Sequence, residues 1–129
     1  LEVFARSDRL SNVRRLDLSS NPFTPRAMRV LSVSHAFPAL RSLNLSGCRL
    51  GDKELRHVTQ ARWWHGLAEV NLRNNAFSAA GVKHLLNAPV PPDLTALVLD
   101  RDLLGGDSRA ALQRKFGDAA VLVAGEVSG

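Results

Sequence analysis

Residues 40–66 read LRSLNLSGCRLGDKELRHVTQARWWHG, and they decide the fold of the whole chain. Within the first eleven, the polar residues Ser42, Asn44 and Ser46 alternate with Leu43 and Leu45, which is typical of a strand with one buried face. Similar segments begin at Val13, Leu67 and Leu94, so each copy starts 27 residues after the previous one. A fixed interval of this length indicates a solenoid in which every repeat stacks on its neighbours.

The segments between the strands keep the same interval. Two columns of apolar residues, one helical turn apart, recur along the chain: Leu1, Met28, Leu55 and Val82, and then Phe4, Leu31, Val58, Leu85 and Leu112. The strand segments match the pattern LxxLxLxxN/CxL, and the sequence resembles the ribonuclease-inhibitor-like subfamily of leucine-rich-repeat proteins over nearly its whole length. The resemblance implies an α/β leucine-rich-repeat solenoid. It would be a right-handed horseshoe segment of strands and helices, with a parallel sheet on the concave side and the helices on the convex side.

The interval also predicts the domain organisation. We expect a single domain, 1–129, built from a partial repeat, four full repeats and a terminal strand with its tail, with the boundaries 1–12, 13–39, 40–66, 67–93, 94–120 and 121–129. Val121 stands one more interval after Leu94, and the FGDAAVLV ending resembles the closing segment of some bacterial leucine-rich-repeat proteins. Because the chain opens inside a helix, we expect a C-terminal portion of a longer protein. Its uncapped N-terminal end is expected either to mediate self-association or to fray first.

Several local patterns predict how the elements begin and pack. Thr24 before a proline, and Ser78 before an apolar run, are typical helix N-caps. The second helix is expected over about residues 52–61. Trp64 shares the register of Phe37 and should fill the corner between helix and strand, whereas Trp63 should be only half covered.

Composition narrows the classes of function. Of 129 residues, 45% are hydrophobic and one is a cysteine, and no apolar run is long enough to cross a membrane. We therefore expect a cytoplasmic protein without disulfides. The net charge of +5 is uneven, since residues 1–66 hold eleven Arg and Lys against five Asp and Glu, while residues 67–129 hold six against seven.

The residues with catalytic potential favour a structural role. Cys48 shares its register with Asn21, Asn75 and Asp102, the turn position at which the leucine-rich pattern accepts asparagine or cysteine. The four histidines lack a metal-ligand spacing, and neither a phosphate loop nor a nucleophile elbow is present. We expect no enzyme activity, no cofactor and no metal site.

The strands of a solenoid line one continuous surface, which suits a protein partner better than a small-molecule substrate. Polar and mixed-sign side chains on that surface form the predicted partner-binding set: Arg15, Asp17, Ser42, Asn44, Glu69, Asn71, Arg73, Val98, Asp100 and Arg101. The sequence thus predicts a protein–protein interaction module. One alternative is binding of nucleic acid or an anionic membrane through the cationic column Arg29, Arg56 and Lys83. Another is a recognition segment of a larger enzyme whose catalytic part lies outside this sequence.

Overall fold

The computed structural model describes residues 12–124, and the elements are numbered within that range. The strands are β1 (Arg15–Asp17), β2 (Ser42–Asn44), β3 (Glu69–Asn71), β4 (Ala96–Asp100) and β5 (Ala120–Val123). The helices are α1 (Pro25–Val33), α2 (Asp52–Thr59), α3 (Ala79–Asn87) and α4 (Gly106–Phe116). Most of the predicted partial repeat, and with it the expected self-association through the N-terminal end, lies outside the described residues.

The five strands form one parallel sheet in sequence order, β1-β2-β3-β4-β5. The first four pair at the predicted interval, so that Leu43 lies opposite Leu16 and Val70, and Leu97 follows Val70. Neighbouring strands are about 4.8 Å apart, whereas packed helices are about 8–10 Å apart. The solenoid therefore curves with the sheet inside and the helices outside, and the predicted α/β leucine-rich-repeat fold is confirmed.

The core lies between the sheet and the helices. The inward strand residues Leu43, Leu45 and Leu72 are almost fully buried, and so are the described members of both predicted helix columns. Trp64 is completely buried at its corner, as predicted. The prediction for Trp63 is wrong: only 4% of this residue is exposed, because its indole reaches back over α1 and Nε1 donates to the Leu31 carbonyl oxygen at 3.0 Å.

The final strand departs from the predicted register. The repeat interval predicts that Val121 is equivalent to Leu94, but Val121 pairs with Val98. The step from β4 to β5 is therefore 23 residues instead of 27. The cause is the short return from α4 to the sheet. One 3₁₀ turn, Gly117–Ala119, connects them, and Gly117 adopts a left-handed φ of 58°. The fifth strand was thus predicted correctly, but its register was wrong.

The helix starts follow the sequence signals. The Thr24 hydroxyl accepts the amide of Ala27 at 3.1 Å, and the Ser78 hydroxyl accepts the amide of Ala80 at 3.2 Å. Helix α2 begins after Gly51, whose amide donates to the Glu54 carboxylate. These contacts satisfy amides that have no partner within their own helix. Helix α2 ends at residue 59, two residues before the predicted end.

Candidate protein-binding face

The sheet surface turned away from the helices, here called the concave face, carries three rows of side chains. Row 1 contains Arg15, Ser42, Glu69 and Ala96. Row 2 contains Asp17, Asn44, Asn71, Val98 and Val121. Row 3 begins with Ser19, Ser46 and Arg73, and continues through Asp100 to Val123. Nine of the ten predicted binding residues therefore share this face.

Row 2 explains why the first three strands are short. The side-chain oxygens of Asp17, Asn44 and Asn71 accept the backbone amide two residues further on, at 2.9, 3.0 and 3.0 Å. Each of these amides is thereby turned away from the sheet ladder, and the strand ends. The Ser19 side chain and amide, as donors to Asp17, lower the pKa of that carboxyl below its ordinary value.

Val98 occupies the same register but carries no acceptor. Strand β4 continues two residues further, to Asp100, and these two residues pair with β5. The Asp100 carboxylate is then fully engaged, since Oδ1 pairs with Arg73 Nε at 3.3 Å and Oδ2 accepts the Asn74 amide at 2.6 Å. Only 24% of the Arg73 side chain and 12% of the Asp100 side chain are exposed. This pair is consequently less available to a partner than the sequence suggests.

The remaining polar groups of the concave face are more accessible. Arg15 and Glu69 are exposed and Ser42 is half-buried. Their side chains make no hydrogen bond or ion pair with other residues of the range 12–124. The amide oxygens of Asn44 and Asn71 are fixed by their turn contacts, which leaves the two Nδ2 groups as oriented donors.

Arg101 is the one predicted binding residue that the structure separates from these rows. It lies in a 3₁₀ turn directly after β4. It lines a cleft of about 510 Å³ at the C-terminal end of the solenoid, together with Arg109, Gln113 and Leu122. This cleft opens between α4 and β5 and is not part of the concave face.

Two comparisons with known proteins bear on this architecture. A family model described as Leucine Rich repeat matches residues 9–35 and 38–53. The solved structure of the tropomodulin C-terminal domain from Caenorhabditis elegans aligns with a TM-score of 0.73 over 98% of this chain and 82% of that chain, at 13% sequence identity. This chain is a leucine-rich-repeat solenoid. No curated protein matches it in sequence. The ribonuclease-inhibitor-like subfamily and a bacterial source stay predictions.

The turns of the leucine-rich-repeat solenoid confirm the structural role of the Cys48 register. Cys48 is fully buried, its Sγ lies 3.0 Å from the Leu18 carbonyl oxygen, and burial raises the pKa of the thiol. One repeat later, Asn75 Oδ1 accepts the amides of Cys48 and Leu50, both at 3.0 Å. Its Nδ2 donates to three carbonyl oxygens, those of Leu45, Leu72 and Arg73. This register connects neighbouring repeats, and the raised pKa keeps the buried thiol protonated.

Two features of the solenoid had no clear signal in the sequence. Ser20, Gly47 and Asn74 share one register and adopt left-handed φ angles of 61°, 67° and 59°. Two of these residues are not glycine, so composition alone does not disclose the turn. The second feature is a contact between helix starts, in which the Asp52 carboxylate accepts the Ser78 amide at 2.8 Å and the Ser78 hydroxyl at 2.5 Å.

Residues 12–124 contain no group of three or more His, Cys, Asp or Glu side chains that could hold a metal ion. Among the helices in this range, none has both the length and the apolar character needed to span a bilayer.

Proposed function

We propose that this protein is a non-enzymatic recognition module that binds a partner protein through its concave face, in a cytoplasmic setting. The observation that carries the proposal is the continuity of that face. Five successive strands align their outward side chains in rows, at about 4.8 Å from strand to strand. A surface of this kind contacts a protein across several repeats, whereas a small ligand is held in a pocket that buries most of its surface.

The chemistry of the face supports the same function. Arg15 and Glu69 offer charges of opposite sign, and the Nδ2 groups of Asn44 and Asn71 offer donors whose direction is already fixed. Preorganised polar groups lose little conformational freedom when a partner binds. The partner-binding set of this proposal keeps the predicted concave residues, with Arg15, Ser42 and Glu69 as the most accessible and Arg73 and Asp100 as a supporting ion pair.

A site-specific photo-crosslinker tests where a partner binds. We expect a crosslinker at Ser42, on the concave face, to capture a protein from an extract of cells that express the chain. The same crosslinker at Lys83, on the exposed side of α3, should not capture it. The captured protein is then purified, so that its affinity for defined variants can be measured directly.

Charge reversals supply the decisive comparison with that purified partner. Arg15→Glu and Glu69→Lys should each weaken binding, while Arg29→Glu and Arg56→Glu on the helices should leave it unchanged. Arg73→Glu is a poorer choice, because it would place a second carboxylate beside Asp100. If only the helix reversals weaken binding, the concave face is not the binding surface.

The competing function rests on the helices. They carry eight cationic residues against three acidic ones, and two of the three acids, Asp52 and Glu54, already accept hydrogen bonds from the backbone. Arg29, Arg56 and Lys83 are exposed and form no ion pair with another residue of the described part. If this surface binds nucleic acid or an anionic membrane, affinity for a polyanion falls steeply and linearly in a log–log plot against salt concentration.

A further inference from the structure

The concave face changes character at its C-terminal end. Row 2 is polar on β1, β2 and β3, and then becomes Val98 and Val121 on β4 and β5. Val121 is 38% exposed, and Val98 is half-buried beside it. The two side chains are adjacent only because the last step is 23 residues, which gives β5 a register that the repeat interval does not predict.

The two sides of this valine pair differ in charge. On one side, Arg73 and Asp100 neutralise each other. On the other, Glu69 is the row 1 residue at the start of β3. It lies about 8 Å from Val98 if one strand spacing and two residues along the strand are combined. Its carboxylate is exposed and has no cationic partner among residues 12–124. A patch of two valines flanked by one unpaired carboxylate is thus left open on the sheet.

We propose that Val98, Val121 and Glu69 form the anchor patch of the concave face, and that it takes a partner segment in which an apolar side chain is followed or preceded by Lys or Arg. The inference rests on the proposed function and specifies the chemistry of the partner. The apolar side chain covers the valines, since burying apolar surface is the main favourable term in association. The neighbouring cation pairs with Glu69 at the edge of the desolvated area, where charge complementarity selects the partner.

A second copy of the chain fits this patch poorly. A two-fold interface centred on the valines places the same surface on itself, so each Glu69 would approach its equivalent. Arg73, the cation one strand from Val98, is already paired, and Arg15 lies three strands away from Val98 on β1. Two concave surfaces also cannot meet closely across their centres. The unpaired carboxylate therefore favours a different, cationic protein segment.

Selection from a displayed library of random linear peptides against the full chain tests the anchor patch. We expect the selected peptides to share an aliphatic or aromatic residue next to Lys or Arg. Val121→Asp should weaken the binding of these peptides at least about tenfold, as is usual for the loss of an anchor residue. Val33→Asp is the matched control, because Val33 is 59% exposed on α1 and lies outside the sheet.

Two further variants keep the result interpretable. Glu69→Lys should weaken binding of the selected peptide, and replacing the peptide's Arg by Glu should restore part of it. Val98→Thr nearly preserves shape, so it still reports on the patch if Val121→Asp lowers the melting temperature. A weakening by Val98→Thr and Glu69→Lys, without one by Val33→Asp, supports the anchor patch.

The other outcomes overturn the inference, and they separate it from the proposed function. If Arg15→Glu weakens binding and the valine variants do not, the partner binds another part of the concave face, and only the anchor-patch proposal fails. If only Arg29→Glu and Arg56→Glu matter, both proposals fail. Selection of peptides without the apolar–cationic pair, or of no peptide at all, refutes the stated chemistry. A dimer in sedimentation that Val121→Asp dissociates would show that a second copy occupies the patch.

Discussion

Replacing Asn75 by alanine tests the idea that the turn register holds neighbouring repeats together. Asn75 is 8% exposed and makes five hydrogen bonds to backbone groups, three of them to groups of the preceding repeat. Alanine removes all five bonds and cannot replace the acceptor that the amides of Cys48 and Leu50 share. The change therefore acts on the contact between repeats and not only on its own turn.

The magnitude follows from the two amides that lose their acceptor. A buried donor without a partner costs about 1–3 kcal/mol, so two of them cost about 2–6 kcal/mol in the free energy of unfolding. Asn21 provides the matched control, because it has the same residue type and register but is exposed. Its Nδ2 donates to the carbonyl oxygens of Leu18 and Ser19, both at 3.1 Å, where water can substitute. We expect Asn21→Ala to cost less than about 1 kcal/mol.

Chemical denaturation with urea measures both variants against the unmodified protein, with the free energy obtained from the midpoint and the slope. Amide hydrogen exchange at Cys48 and Leu50 adds a local readout. In Asn75→Ala, both amides should exchange faster than in the unmodified protein. Equal losses of stability in Asn75→Ala and Asn21→Ala, with unchanged exchange at these two amides, would refute the reasoning.

Three further predictions concern the core, the thiol and the helix start. Leu45→Ala should lower the free energy of unfolding in urea by about 2–5 kcal/mol because this leucine is fully buried. Asn44→Ala should cost about 0.5–1.5 kcal/mol, since it loses only its turn hydrogen bonds. Equal losses would mean that the buried and exposed faces of the strand are exchanged. Cys48 should react slowly with a thiol reagent in the folded protein and quickly in denaturant, since burial shields the thiol and raises its pKa. Rapid, stoichiometric labelling of the native protein would contradict its structural role. Burial opposes ionisation of Asp52, but hydrogen bonds from the Ser78 side chain and amide outweigh it and lower the pKa below 3.8. The stabilisation is thus present above that ordinary value and is lost as the pH falls through the lower folded-state pKa. The difference in stability between the protein and Ser78→Ala should therefore shrink as the pH falls below the ordinary pKa of an aspartate. A difference independent of pH would exclude the carboxylate as its source.

The predicted site was only partly recoverable from the sequence. Alternation of side chains along each strand placed Arg15, Ser42 and Glu69 on the outer face of the sheet, because this period is a property of any strand. Alternation cannot disclose that Asp100 accepts from Arg73 and Asn74, since these partners lie one repeat away. The sequence therefore identified which residues share a face, but not which of them remain available to a partner.

The repeat interval alone determined the architecture: strands at Leu43, Val70 and Leu97, and helix residues at Met28 and Leu55 buried behind them. This was possible because each repeat obeys the same short-range rules and stacks only on its neighbours.

The tertiary structure decided what happens where the repetition ends. Val98 lacks the acceptor that ends the earlier strands, and the short turn after Phe116 sets a 23-residue step. Together they place Val121 beside Val98 on the concave face. The burial of Trp63 likewise depends on the Leu31 carbonyl oxygen of the preceding repeat. Such contacts form between segments that are distant in sequence. They therefore depend on how neighbouring repeats stack and on where the chain re-enters the sheet, and not on the pattern within any one repeat.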